Sequence, residues 1–302
     1  MEHLPRELIL SIGRLSQNST LCSLVRCCRR LHDILEPLIY SKLRLVPPLS
    51  NIYVSLFMRL WRHPDLARLV RLVEIHLPIF RQGQPQYQLN EDKVPDLPQF
   101  IQDVQNELFD PKDTRPRVWW GSKMRSGDWS FWLGVMLVRW THLESVEFVG
   151  LYNNHAICDL LYRAGKRHRP FHETPPYPLL RRVAVRDCEQ GFDLEEVLTP
   201  FFYFPAVETV DVAQLWEGRG REEDLLSWRR ENSHARCPVR RITIRSLKHS
   251  RGTLTWLADC SDLEHISLHI ACIYVGDPDI RFGVPFDPPR FLRALLPFTD
   301  RL

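Results

Sequence analysis

Cysteine and histidine are the side chains of this chain that could hold a metal ion or act as a nucleophile and its base. The chain has eight cysteines and 12 histidines, and Cys22, Cys27 and Cys28 lie close together. Structural zinc sites use paired C-x-x-C or histidine spacings, and neither occurs here. Met1-Glu2-His3 leads straight into a predicted helix, without the leader of a secreted protein. We therefore expect reduced, buried cysteines, no bound metal and no cofactor.

The common catalytic motifs are also missing from the sequence. There is no G-x-x-x-x-G-K-[ST] loop to cradle a phosphate, no G-x-S-x-G elbow and no H-E-x-x-H helix. Gly218-Arg219-Gly220 is a lone turn. We therefore expect a binding protein without enzymatic activity.

Arginine pairs are the first candidate binding residues. Arg182 and Arg241 each end a pair, Arg181-Arg182 and Arg240-Arg241, just ahead of a predicted strand. If the strands stack side by side, these arginines align on one face and suit an acidic or phosphorylated ligand. The basic run 166–169 lacks interleaved aromatic residues, so a solvated loop is favoured over a phosphate site.

Tryptophans are the second candidates. Trp129, Trp132 and Trp140 fall in one predicted amphipathic helix, residues 128–140, and are expected to pack against the sheet. Trp119 and Trp120 are adjacent, so both cannot face inward on a regular element. Because tryptophan is enriched at binding hot spots, we assign Trp119, Trp120, Arg182 and Arg241 as candidate target-binding residues.

The N-terminal residues 1–46 must position a further surface. Their apolar residues recur at helical spacing in three sets: Leu8, Ile9, Ile12 and Leu15; Leu21, Leu24, Val25 and Cys28; and Leu31, Ile34, Leu35, Leu38 and Ile39. Pro5 suits a first helical turn, Ser19 or Thr20 can cap the second helix, and Pro37 should end or kink the third. So short a unit seldom stabilises itself, which predicts docking onto another protein.

The same residues carry a family resemblance. Leu4-Pro5-x-Glu7, the aliphatic residues that follow, and Leu24-Val25-x-x-Cys28-Arg29-x-Leu31 resemble the F-box motif, and the ending PLIYSKLRL is similar to that of ascomycete F-box proteins. The resemblance implies docking onto a Skp-type adaptor and, through it, a cullin. By match to the motif, the docking residues are Leu4, Pro5, Glu7, Ile9, Ile12, Leu24, Val25, Cys28 and Leu31.

A segment of the form apolar-x-x-apolar-x-apolar recurs through the rest of the chain. Its copies are Val70-Val73-Ile75, Leu143-Val146-Phe148, Leu180-Val183-Val185, Val207-Val210-Val212, Val239-Ile242-Ile244 and Leu263-Ile266-Leu268. The last two residues of each copy alternate as a half-buried strand requires. Helix-like stretches lie between copies at 128–140, 192–204 and 222–230, and another follows at 289–296, whereas the proline-rich residues 78–118 are predicted to be a loop or insertion.

Strand, crossover and strand at a period near thirty are typical of a solenoid. We therefore predict an α/β protein: a three-helix F-box-like module at 1–46, then an irregular leucine-rich-repeat-like α/β solenoid at 50–302. A non-repetitive α/β domain with parallel strands is the alternative.

The net charge and the length of the apolar runs limit the partners and the compartment that we expect. The net charge of +3 indicates no nucleic-acid partner, and the longest apolar run, 131–138, is far short of the about 20 residues that span a bilayer. We therefore expect a protein of the cytoplasm or nucleus, without membrane partners. With the F-box resemblance, the predicted function is the substrate-recognition subunit of an SCF-type ubiquitin ligase. The alternative is a repeat scaffold whose N-terminal helices only cap the solenoid.

Overall fold

A computed structural model gives the fold of residues 4–77, 89, 94–150, 155–186, 198–213, 237–247, 257, 259–270 and 288–298. These residues form three N-terminal helices followed by a mixed α/β region with one parallel sheet.

The N-terminal helices are α1 (Arg6–Leu15), α2 (Asn18–Leu24) and α3 (Arg29–Ser41). Both α1 and α2 pack on α3, as the three apolar sets predict. Pro5 lies immediately before the first helical residue, where its missing N–H removes no helical hydrogen bond.

Two details of these helices differ from the sequence predictions. Neither Ser19 nor Thr20 caps α2, because the helix already begins at Asn18 and has no side-chain cap. Of the two effects predicted for Pro37, to end or to kink α3, the first does not occur, because the helix continues to Ser41. Proline removes one helical hydrogen bond, but packing of α3 against both other helices outweighs this local preference.

Seven parallel strands form the sheet: β1 (Lys42–Leu45), β2 (Leu72–His76), β3 (Ser145–Val149), β4 (Arg182–Arg186), β5 (Thr209–Val212), β6 (Arg241–Leu247) and β7 (His265–Ile270). Their order across the sheet is their order along the chain. All six predicted strands are confirmed. β1 was not predicted, and it lies directly after α3, within residues 1–46.

The remaining α-helices are α4 (Asn51–Arg62), α5 (Pro64–Ala67), α6 (Leu97–Leu108), α7 (Thr114–Arg125), α8 (Trp129–Arg139), α9 (His155–Gly165) and α10 (Pro288–Leu295). Short 3₁₀ helices cover Thr199–Tyr203 and Leu296–Phe298. The predicted helices at 128–140 and 289–296 are confirmed. Of the prediction at 192–204, only the 3₁₀ helix is described, and residues 222–230 lie outside the described residues.

The predicted loop at 78–118 is wrong where the structure describes it, because α6 and the start of α7 occupy much of residues 97–118. Pro98 and Pro116 lie in the first turns of these helices, where proline takes no hydrogen bond away. Proline content alone was therefore misleading.

The main core lies between one face of the sheet and the helices. Alternate strand residues are buried there, namely Leu43, Leu45, Val73, Ile75, Val146, Phe148, Val183, Val185, Val210, Val212, Ile242 and Ile244. In the helical layer α8 packs on α4 and on α9, and α9 packs on the first 3₁₀ helix.

The tryptophans of α8 complete this core. Trp129, Trp132 and Trp140 are buried, as predicted, and the ring of Trp132 stacks on Phe100 at 5.4 Å. The helix is not amphipathic, however, since residues 129–138 are all buried. No helix among the described residues is long and apolar enough to cross a membrane.

Arginines from α7, from α9 and from the turn after α9 bind the carboxyl-terminal end of α6. Arg163 of α9 donates to the carbonyl oxygen of Leu108 at 3.3 Å, and Arg117 of α7 donates to that of Gln105 at 3.2 Å. Arg169 donates to the carbonyl oxygens of Asn106 (2.8 Å) and Glu107 (3.0 Å). These donors satisfy the carbonyls of Asn106, Glu107 and Leu108 at the end of the helix, whereas the carbonyl of Gln105 also accepts from the backbone N–H of Phe109 at 3.1 Å. Arg169 is exposed, in line with the interpretation of residues 166–169 as a solvated loop, and it also caps the end of α6.

Candidate functional site

The helical module has a core of its own. Ile9, Leu21, Leu31 and Leu35 are buried together in a cluster distinct from the main core. Gly13 lets α1 approach α3 closely, because an added Cβ would lie 2.6 Å from a methyl carbon of Leu35. The assignment of Ile9 and Leu31 to direct partner contact is therefore corrected: they stabilise the module from inside.

A second apolar stripe on α1 faces outward. Leu8, Ile12 and Leu15 recur at helical spacing and are 51%, 42% and 90% exposed. They lie on one side of the helix. We call these three residues the α1 stripe. Ile12 was predicted to dock, whereas Leu8 and Leu15 were recognised as apolar but not assigned to docking.

The other predicted docking residues divide into two groups. Pro5 and Glu7 are exposed at the start of α1. The remaining residues are half-buried against the core of the module: Leu4, Leu24, Val25 and Cys28. The carbonyl oxygen of Leu4 also accepts a hydrogen bond from Arg30 at 2.7 Å.

The module is joined to the sheet region through the end of α3. Tyr40 is buried in the main core, and Glu36 forms an ion pair with Arg59 of α4 at 3.2 Å. The guanidinium carbon of Arg59 lies 5.8 Å from the centroid of the Tyr40 ring. Burial raises the pKa of the Tyr40 hydroxyl, although Arg59 opposes the shift.

The second face of the sheet carries mostly polar side chains, because they alternate with the buried residues of each strand. We call it the outer face. The register places Arg182 of β4, Thr209 of β5 and Arg241 of β6 in one row across it. The two arginines that the sequence singled out are thus brought onto one row, two strands apart.

Asp211 of β5 stands at the centre of an arginine cluster on this face. Its carboxylate accepts hydrogen bonds from Arg186 at 2.9 and 3.3 Å and from Arg245 at 3.3 Å. Arg182 forms a longer ion pair with it at 3.9 Å. We call Arg182, Arg186, Arg241 and Arg245 the arginine cluster. Arg186, Arg245 and Asp211 were missed, because only the register of three strands brings them together.

The opposite end of the outer face has balanced charge. Glu74 of β2 lies 3.0 Å from Arg44 of β1 and 2.6 Å from the Nε2 atom of His76. The hydrogen bond with His76 lowers the pKa of Glu74, against the effect of burial and with help from Arg44. The two ends of this face therefore differ in charge.

Trp119 and Trp120 do not belong to this face. Trp120 is 1% exposed and contributes to the main core, whereas Trp119 is 42% exposed, so one of the two is a surface residue, as predicted. Trp119 lines an open cleft of about 620 Å³ between α7 and α9, together with Arg115, Pro116, Trp120, His155, Asp159 and Arg163. Arg163 is already paired with Asp159 at 3.0 Å. The assignment of Trp120 as a target-binding residue is therefore wrong, because its ring is buried, and the other three candidates fall on two separate surfaces.

The cysteines divide by region. Cys237 and Cys260 are buried with their sulfur atoms 3.2 Å apart, and this contact, with burial, raises the pKa of the Cys260 thiol. Cys22 and Cys27 are exposed on and just after α2, so their predicted burial is wrong. Cys188 and Cys272 lie outside the described residues. Among the residues with described placement, no three His, Cys, Asp or Glu side chains are grouped to hold a metal ion.

Comparison with protein-family models and with curated proteins gives no match to this chain.

Proposed function

We propose that this protein is the substrate-recognition subunit of an SCF-type ubiquitin ligase. The helical module acts as an F-box: it docks onto a Skp-type adaptor and, through it, a cullin. The α/β region is an irregular leucine-rich-repeat-like solenoid that binds a target protein. The chain makes no bond itself, and holds the target near the transfer enzyme, which raises the effective concentration of the two.

The α1 stripe carries this proposal. Three large apolar side chains are exposed on a module that has its own core, where α1 packs through Ile9 and Gly13. Exposed apolar residues that cluster on one face are typical of a protein interface. Pro5, one of the residues that begin the F-box resemblance, is also exposed, three residues before Leu8.

The sheet supports the second half of the proposal. Each strand pairs in parallel with the next strand along the chain, and each crossover that the structure describes moves the chain by one position. Stacked strand–crossover units of this kind build the recognition surfaces of repeat proteins.

The test is co-purification with a recombinant Skp-type adaptor. The variant Leu8→Ser with Ile12→Ser removes apolar surface without touching the core of the module, so the protein stays folded. We expect adaptor affinity to fall about 100-fold or more, since each buried leucine or isoleucine contributes about 1.5–3 kcal/mol.

Ile52→Ser is the matched control, because Ile52 is an exposed apolar residue on α4. It should leave adaptor affinity unchanged. Binding by the double variant equal to that of the unmodified chain would refute the proposal, and so would an equal loss in the Ile52 control.

The scaffold function remains a second candidate, favoured by one observation: Tyr40, at the end of the helical module, is part of the main core. If α1–α3 only cap the sheet, the unmodified chain should show no affinity for the adaptor, and Leu8→Ser with Ile12→Ser should change nothing measurable.

A further inference from the structure

We propose that the arginine cluster binds a compact anionic group on an extended peptide segment, either a phosphate monoester or closely spaced carboxylates. That the segment belongs to the ubiquitination target rests on the proposed function. The binding itself does not, because it involves only the outer face of the sheet.

Register brings the cluster together. Arg182 and Arg241 share one row, and parallel strands lie about 4.8 Å apart, so their backbones are separated by about 10 Å. Two arginine side chains at this spacing can converge on one anion from opposite sides. Arg245 lies on the same face of β6, two residues after Thr243, and reaches the same carboxylate as Arg182.

The arginine cluster carries more positive charge than its described acidic neighbours neutralise. Among the described residues of β4 to β7, Asp211 is the one acidic side chain on the outer face, and it faces three guanidinium groups at 2.9–3.9 Å. One carboxylate neutralises one of these charges. Glu147 of β3 pairs with Arg186 at 3.3 Å, so the four arginines of the cluster exceed these two carboxylates by two positive charges among the described residues.

Arg182, Arg241 and Arg245 also keep donor groups for a ligand. The side chains of Arg182 and Arg245 are 54% and 56% exposed, and each contacts Asp211 through a single nitrogen. Arg241 is exposed and has no ion-pair partner among the described residues. A guanidinium has five N–H donors, so most of them stay available for the paired hydrogen bonds that arginine makes with phosphate or carboxylate.

Asp211 gives the site its order. It is almost fully buried and holds Arg186 through two hydrogen bonds, so the anchor of the cluster is fixed before any ligand arrives. Arginines held in place lose less side-chain entropy on binding than free ones.

A peptide fits the surface better than a nucleic acid. Binding to a duplex needs a basic stripe that follows many phosphates, whereas the charge here is local and the other half of the outer face carries Glu74 and Glu147. The site therefore suits one or two anionic groups.

Fluorescence anisotropy with the purified full chain tests the proposal. The probes are fluorescein-labelled heptapeptides of glycine and serine: one with a central phosphoserine, its unphosphorylated form, and one with three central glutamates. We expect saturable binding of the phosphoserine or the triglutamate peptide that weakens as salt is added, and no binding of the unphosphorylated form. The anionic peptide that binds identifies the source of the charge.

Arg182→Gln with Arg245→Gln should weaken binding of the anionic peptide about 100-fold, because each charge-assisted contact contributes about tenfold or more. Arg44→Gln with Arg240→Gln is the matched control. It removes the same charge from two exposed arginines that pair with Glu74 and Glu264 outside the cluster.

Unchanged affinity in the cluster variant, or an equal loss in the control, would overturn the proposal. The proposal would also be overturned if neither anionic peptide bound. The same holds if a short DNA duplex bound more tightly than the peptides and the cluster variant lost that binding too. Adaptor binding is a separate assay on a separate surface, so failure of one proposal does not imply failure of the other.

Discussion

The helical module and the sheet region place their apolar and charged residues in opposite ways. The core of the module consists of four buried apolar residues among those described, and the α1 stripe is left exposed. The sheet region buries a continuous core rich in aromatic rings and exposes a polar face with the arginine cluster. The two proposed binding surfaces would therefore act through different forces: that of the module through burial of apolar surface, and that of the sheet through charge.

The core of the sheet region should show the largest effect of a single substitution. Trp132→Ala removes a ring that stacks on Phe100 and a hydrogen bond from Nε1 to the carbonyl oxygen of Met124 at 3.1 Å. We expect the free energy of unfolding of the sheet region to fall by about 3–5 kcal/mol. Urea unfolding followed by tryptophan fluorescence measures it. Trp119→Ala, at a partly exposed position, is the control and should cost about 1 kcal/mol or less.

A substitution in the core of the module should destabilise the module by less, and should leave the sheet region unaffected. Leu21→Ala should destabilise α1–α3 by about 2–3 kcal/mol, near the lower end for a buried leucine because so small a core can relax. Residues 1–46 contain no tryptophan, so fluorescence reports the sheet region alone, whereas far-UV circular dichroism reports both. We expect the circular dichroism signal of the helices to be lost at a lower urea concentration, while the midpoint of the fluorescence transition stays unchanged.

If both signals shift together, the two regions unfold as one unit and the comparison fails. Leu15→Ala, on the exposed stripe, should change neither midpoint.

The junction between the regions should contribute least to stability. Glu36 and Arg59 form an ion pair on a partly exposed surface, and such pairs contribute about 0.2–1 kcal/mol. A double-mutant cycle with Glu36→Gln and Arg59→Gln measures the coupling free energy. A value well above this range would mean that the module is fastened to the sheet by charge as well as by Tyr40.

The smallest expected effect is a shift in the pKa of Glu74, at the end of the outer face where the charges are balanced. The pKa of Glu74 lies below its ordinary value of 4.5, mainly through the hydrogen bond with His76. A lowered carboxyl pKa in the folded state adds stability above the ordinary pKa, and this stability is lost as pH falls through the folded value. Carbon-detected NMR should show that His76→Ala raises the Glu74 pKa more than Arg44→Gln does. An unchanged pKa in the His76 variant would contradict this assignment.

Local patterns predicted the strands well, because alternation of apolar residues follows directly from one buried face. The unpredicted strand, β1, is only four residues long and directly continues α3. α6 and α7 were hidden by prolines that lie in their first turns. The apolar pattern of β1 is too short to identify a strand, and the prolines of α6 and α7 are equally typical of loops.

The candidate surfaces were predicted only in part. Arg182 and Arg241 could be placed on one face because equivalent positions of successive strands align. Asp211 could not, since its role depends on arginines from β4 and β6 meeting it across the sheet. Likewise, helical spacing marked both Leu8 and Ile9 as apolar, but only the packing of α1 on α3 decides which of them faces solvent.

The order of the strands has a consequence for synthesis. Each strand pairs with the strand made just before it, so no strand that the structure describes waits for a distant partner still on the ribosome. α1–α3 emerge first and can form their small core while β1 offers a template for β2. The longest interval between the synthesis of two paired strands separates β2 from β3, because α6, α7 and α8 are made between them. During that interval β2 is an edge strand without a partner on one side.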